Sequence, residues 1–207
     1  MRRLYVFSVA AAAIVGIAIG VVLHNTLAAG SAQARPKLPA LYGQATWKEG
    51  RIRAPKFVLR DQHGRHVSLA SYRGRAVILL FMDSLCRSEC PIEGRLLASA
   101  VAQLPRAARP AVLIVSVNLH DTPSTVADAA SHWNLPAGYE WLLGTHAQLA
   151  PVWKAYNIAV LPTKNGGVDH SDAFYVIDRH GYERAGFISP FEPSFLTYDL
   201  RKLTPAA

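Results

Sequence analysis

The chain has 207 residues, 51% of them hydrophobic, and a formal net charge of +8. That size and composition fit one packed domain with extensions and exclude a disordered chain. The basic residues are scattered, from Arg51, Arg53 and Lys56 to Arg201 and Lys202, with no basic helix face or aromatic-interleaved stripe, so the charge reads as a solvated surface that tolerates anionic lipid, with no nucleic-acid partner.

Arg2 and Arg3 precede a charge-free apolar run from Leu4 to Leu23, about the 20 residues that cross a bilayer as a helix. Residues 1–27 are therefore expected to be a transmembrane signal anchor, with Ala32-Gln33-Ala34 as the cleavage site of the competing signal-peptide reading. With Arg2 and Arg3 held in the cytoplasm, the rest is placed on the periplasmic or extracytoplasmic side of a cell membrane. Residues 28–50, rich in Ala, Gly, Ser, Gln and Pro, are expected to be a flexible tether, and residues 51–207 the domain.

Phe57-Val58-Leu59 and His66-Val67-Ser68-Leu69 flank a polar Asp61–Arg65 turn and predict a β-hairpin, with Gly64 supplying a positive φ. Ala76–Met82 is a continuous apolar run of strand length, as in a strand covered on both faces. A helix is expected from Pro91 to Leu104, its apolar positions at Ile92, Leu96, Leu97, Val101 and Leu104. Ala111–Val117 predicts a second buried strand, and Asp121-Thr122-Pro123 an N-cap and proline opening a helix to about His132, with Asp121 as a cap. Trp141–Leu143 reads as a short strand, Thr145 with Gln148 as a capping box for a helix to Tyr156, Ala173–Ile177 and Glu183–Phe187 as a closing hairpin, and Pro193–Leu203 as a last helix. The order βαβ then ββα, behind an added N-terminal hairpin, is that of an α/β thioredoxin-like domain.

Cys86 and Cys90 stand where the first buried strand turns into a helix. A disulfide across so short a loop restrains the unfolded chain little, so reactivity or metal binding explains the pair better than a structural staple. Backbone N–H groups and the helix dipole favour thiolate there, with Arg87 adding and Glu89 opposing. The i, i+4 spacing lets the sulfurs act as a redox pair or grip one soft ion, and two thiolates leave Cu(I) short of a third ligand.

Most of the eight histidines fall in turns or at helix ends, His63 and His66 among them as a weak accessory metal site at most. His170 differs: it lies in Gly166-Gly167-Val168-Asp169-His170-Ser171, just before a strand, with Asp169 and Ser171 as candidates to orient its ring.

Phe57–Gly64, Cys86-x-x-x-Cys90-Pro91, Asp121-Thr122-Pro123 and His170-Ser171 followed by Tyr175-Val176-Ile177-Asp178 and Gly181 resemble the Sco/SenC family across nearly the whole domain. The resemblance implies a thioredoxin-like fold, usually membrane-tethered, that binds copper, Cu(I) in the first place, through Cys86, Cys90 and His170. It also implies that the protein assists assembly of a cytochrome c oxidase copper centre, as copper carrier, as thiol reductant, or both, so that the partner is the copper-centre subunit or another copper acceptor protein. One departure is Asn118-Leu119-His120 before Asp121, where relatives often carry an acidic Asp-Pro run. Leu161-Pro162-Thr163 is also unusual for the family and resembles the cis-proline loop of thioredoxins, which keeps open an extracytoplasmic thiol–disulfide oxidoreductase like those of the TlpA type. A peroxidase is disfavoured because Asp83 stands where peroxiredoxins place a hydrogen-bond-donating Thr.

Overall fold

The computed structural model describes residues 40–164 and 167–204. The expected anchor over 1–27, and the tether up to residue 39, lie outside the described residues. Among those described, no helix is long and apolar enough to cross a membrane.

Strands β1 (Ala45–Thr46) and β2 (Ile52–Arg53) open the domain, followed by the hairpin β3 (Val58–Asp61) and β4 (His66–Ser68). Then come β5 (Val77–Met82), α1 (Glu89–Ala102), β6 (Ala111–Ser116), α2 (Pro123–Trp133), β7 (Tyr139–Leu143) and α3 (His146–Ala155). A small hairpin, β8 (Val160–Pro162) and β9 (Val168–His170), precedes β10 (Ala173–Ile177), β11 (Tyr182–Ile188) and α4 (Pro193–Leu203). The main sheet runs β1-β11-β10-β5-β6-β7-β3-β4, with β2 also on β11. Strands β5, β6 and β7 are parallel, and the remaining pairings are antiparallel.

All six residues of β5 are buried because both faces of the strand are covered. Ile78, Leu80 and Met82 pack under α1, α2 and α4, with Leu97, Trp133 and Leu200. Val77, Leu79 and Phe81 face the other way, toward Leu149 and Trp153 of α3 and Leu59 and Val67 of the hairpin. Helix α1 approaches α2 through Gly94, where an added Cβ would stand 2.8 Å from the Trp133 Cβ.

The predicted elements appear close to their expected bounds, and Gly64 has φ +80° in the Asp61–Arg65 turn. Three features differ. Within the expected tether, Leu41 is buried, Ala45 and Thr46 pair with Gly186 and Ala185, and the Tyr42 and Gly43 N–H groups donate to the Asp199 carboxylate at 2.7 and 3.0 Å. This segment therefore belongs to the folded unit. The N-cap of α2 is Thr122, whose hydroxyl accepts from Thr125 N–H at 3.2 Å, so Asp121 is free for another role. Finally, the approach to His170 is β9, held in register with β8 by Val160↔His170 and Pro162↔Val168. Pro162 sits in that hairpin with a trans bond, while the cis peptide among the described residues is Ser189–Pro190.

Candidate functional site

The site forms where β5 releases the chain into α1. Asp83 and Ser84 are buried directly after the strand, and Asp83 O accepts the Cys86 N–H at 3.1 Å. The Asp83 carboxylate accepts from Leu85 N–H at 2.8 Å and from the Asn118 amide at 3.0 Å. It is thus an acceptor already in use, which fits its inability to serve as a peroxidase's donor. Asp121 ties the other side: its carboxylate accepts from the Ser84 N–H at 3.1 Å, the Ser84 hydroxyl at 2.5 Å and the Ser116 hydroxyl. Burial pushes the Asp121 carboxyl up to about 6, although the Ser116 and Ser84 donors oppose it.

Cys90 lies in the first turn of α1 and is 1% exposed, whereas Cys86 is partly exposed in the preceding loop. Both thiols are free. Cys86 Sγ accepts the Cys90 backbone N–H at 3.5 Å and stands 3.8 Å from Ser88 Oγ. The hydrogen bond from the Cys90 thiol, reinforced by backbone N–H groups of Cys90 and Ser88 and partly opposed by burial, lowers Cys86 to about 4. The same bond and burial push Cys90 up. The two thiols are thus pushed in opposite directions, Cys86 toward thiolate and Cys90 toward thiol.

His170 closes the other side of Cys90. Its Nδ1 is 3.0 Å from the Ser171 carbonyl oxygen, and because a carbonyl only accepts, Nδ1 carries the hydrogen. Nε2, left with its lone pair, points at Cys90 Sγ from 3.9 Å. Ser171 is held in turn by Ala159, whose N–H donates to the Ser171 hydroxyl at 3.1 Å and whose carbonyl accepts the Ser171 N–H at 3.0 Å. The ring is therefore oriented by the Ser171 backbone and not by Asp169, which is exposed; the carboxylate on that side is Asp172, 4.0 Å from Nδ1.

Among the described residues, no three His, Cys, Asp or Glu side chains enclose a metal site outright. Cys86, Cys90 and His170 instead form a chain of two contacts centred on Cys90. The 3.9 Å between His170 Nε2 and Cys90 Sγ is the spacing of two ligands of one ion: bonds of roughly 2.0–2.3 Å to imidazole and thiolate at a trigonal angle put N and S about 3.8 Å apart. His63 and His66 are exposed on the β3–β4 hairpin, in no such cluster.

Glu93 did not emerge from the sequence reading. It is 3% exposed, one turn beyond Cys90, and burial, with the charges of Asp172 and Cys86 adding to it, pushes its carboxyl up to about 8. Its signal was the i, i+3 spacing from Cys90, which puts it on the same face of α1.

A central parallel β5–β6–β7 core, antiparallel β10–β11 and a thiol pair at the strand-to-helix turn define a thioredoxin-like domain. Residues 46–204 match the SCO1/SenC family model, and the chain belongs to that family. It is similar to copper-bound ScoI of Bradyrhizobium japonicum, at 26% identity over 73% of this chain and 99% of that one, with a TM-score of 0.61. A SCO1/SenC family lipoprotein from Bacillus anthracis shares the fold at 20% identity, TM-score 0.68, covering 78% of this chain and all of the other. BsSco, described as a member of the Sco family of cytochrome c oxidase assembly proteins and as having a disulfide switch, matches at 18% identity, TM-score 0.63, over 79% and 100% of the two chains. A comparison with curated proteins gives no match.

Proposed function

We propose that this protein is a carrier of Cu(I), bound by the thiolates of Cys86 and Cys90 and by Nε2 of His170, and passed by ligand exchange to a copper acceptor such as the copper-centre subunit of a cytochrome c oxidase. The observation that carries this reading is the aim of His170. A histidine with Nδ1–H fixed on a backbone carbonyl and its bare Nε2 facing a thiol is arranged as a ligand. Thiolate and imidazole are the donors that soft Cu(I) prefers, and a copper-bound relative supports the choice of metal. The apolar run Leu4–Leu23 supports a membrane tether with the domain outside the cytoplasm.

Anaerobic Cu(I) titration of the reduced chain tests it. The expected result is one tightly held equivalent, lost in Cys86→Ser, Cys90→Ser and His170→Ala. Undiminished tight binding by His170→Ala would sink the three-ligand site.

A second reading has its own observation. The partly exposed, low-pKa Cys86 beside a buried Cys90 whose thiol is pushed up is the asymmetry of a thiol–disulfide oxidoreductase, in which Cys86 attacks a partner disulfide and Cys90 resolves the mixed disulfide. Disulfide turnover that survives His170→Ala while copper binding is lost would assign that activity to the pair alone.

A further inference from the structure

On the face of the sheet that carries Tyr175, β10, β11, the end of α3 and the N-terminal segment border one another. Between them lies an open cleft of about 480 Å³, within the range of small-molecule sites. Trp47, Tyr156 and Tyr175 line it, and Glu183 is its acidic group. It shares no lining residue with the thiol site.

The aromatic wall is built in. Trp47 lies against Gly186, where an added Cβ would stand 3.3 Å from the indole, and Gly186 is the register partner of Tyr175. The Trp47 and Tyr175 rings are 25° from parallel with centroids 6.4 Å apart, and Tyr156 and Tyr175 are 5.4 Å apart. Both tyrosine hydroxyls are engaged, Tyr156 donating to the Pro55 carbonyl at 2.8 Å and Tyr175 to the Tyr156 carbonyl at 2.6 Å, and Tyr156, 1% exposed, backs Tyr175 from the core. The half-buried rings of Trp47 and Tyr175 are therefore the surface offered to a ligand.

Glu183 is 7% exposed, yet among the described residues no hydrogen bond or ion pair reaches its carboxylate. Arg53 also lines the cleft but is committed elsewhere, its guanidinium 4.3 Å over the Tyr182 ring and 2.7 Å from the Tyr182 hydroxyl. The Glu183 oxygens are not closed off from solvent, so a cation in the cleft can reach them, and an aromatic wall beside a carboxylate attracts a weakly hydrated cation. An anion would be repelled by Glu183. A metal ion would find one carboxylate and no His or Cys in the cleft.

We propose that this cleft binds an alkylammonium ion, its charge paired with Glu183 and its carbon groups packed on Trp47 and Tyr175. The test is isothermal titration of the full chain with choline and with its neutral isostere 3,3-dimethyl-1-butanol. Choline is expected to bind about tenfold or more tighter, and Glu183→Gln to cut that preference severalfold, leaving the part due to the aromatic wall, while the isostere's own affinity stays the same. Equal affinities in the unaltered chain, a preference undiminished by Glu183→Gln, or no binding of choline, tetramethylammonium or n-butylammonium would each overturn the proposal. Glycerophosphocholine separates two sources of the same chemistry: tighter binding than choline assigns the cleft to a lipid headgroup, weaker binding to a free amine.

Discussion

Cys86 and Cys90 are the same residue type, four positions apart, and the fold gives them opposite fates. Cys86 sits outside the first turn of α1 and accepts from the helix N-terminus, while Cys90 is buried and donates to it. The position of the pair at a strand-to-helix turn was legible in the sequence. Which sulfur would be thiolate was not, because that depends on burial and on a bond between the two side chains. Pulse alkylation with iodoacetamide, read by peptide mass spectrometry, distinguishes them. Modification is expected at Cys86 alone, at a rate nearly constant between about pH 5 and 8 and falling only as pH drops through about 4. A rate that climbs about tenfold per pH unit up to pH 8 is the behaviour of an ordinary thiol, pKa about 8.5, and would contradict the assignment.

At the scale of elements, legibility followed the range of the interactions that form each one. The helices after Thr122, Thr145 and Glu192 carry their start signals locally, as a cap, a capping box and a first-turn proline. The β3–β4 turn is as local: Asp61 Oδ1 accepts from the His63 and Arg65 N–H groups at 2.9 and 2.8 Å, and Oδ2 from Arg65 Nε at 2.7 Å. The β8–β9 hairpin that carries His170 escaped notice because three-residue strands paired only with each other show no periodicity, and β1 and β2 escaped because two residues cannot. Burial raises the Asp61 carboxyl, but the Arg65 and His63 donors more than offset it, so the net shift is downward. A carboxyl held low when folded contributes stability above its unfolded value of 3.8, and loses it as pH falls further through the folded value. Urea unfolding should therefore show Asp61→Asn with a shallower loss of stability below about pH 4 than the unaltered chain, and Asp61→Ala less stable by about 1 kcal/mol at neutral pH. Parallel acid profiles for Asp61→Asn and the unaltered chain would count against the turn as the source.

Across the whole molecule, the ends of the described chain are joined by one side chain. Asp199 on α4 is 0% exposed, and its two carboxylate oxygens take the Tyr42 and Gly43 N–H groups, which start the segment that places β1 on β11 and Trp47 over Gly186. No local pattern announces such a clamp, since its partners lie more than 150 positions apart. Asp199→Ala strands two N–H donors and is expected to cost about 1–3 kcal/mol. Asp199→Asn keeps one accepting oxygen and is expected to recover part of that. The discriminating measurement is hydrogen exchange: with alanine, the amides of Tyr42, Gly43 and Trp47 should exchange much faster while those of β5 and β6 keep their protection. Cys86, Cys90 and His170 hang from β5, α1 and β9, none of which pairs with β1, so Cu(I) stoichiometry should be unchanged. Choline affinity should fall, because Trp47 reaches the Glu183 cleft only while this segment is held. Uniform loss of protection throughout the sheet would show instead that Asp199 supports the whole core, and that the segment is no separable unit.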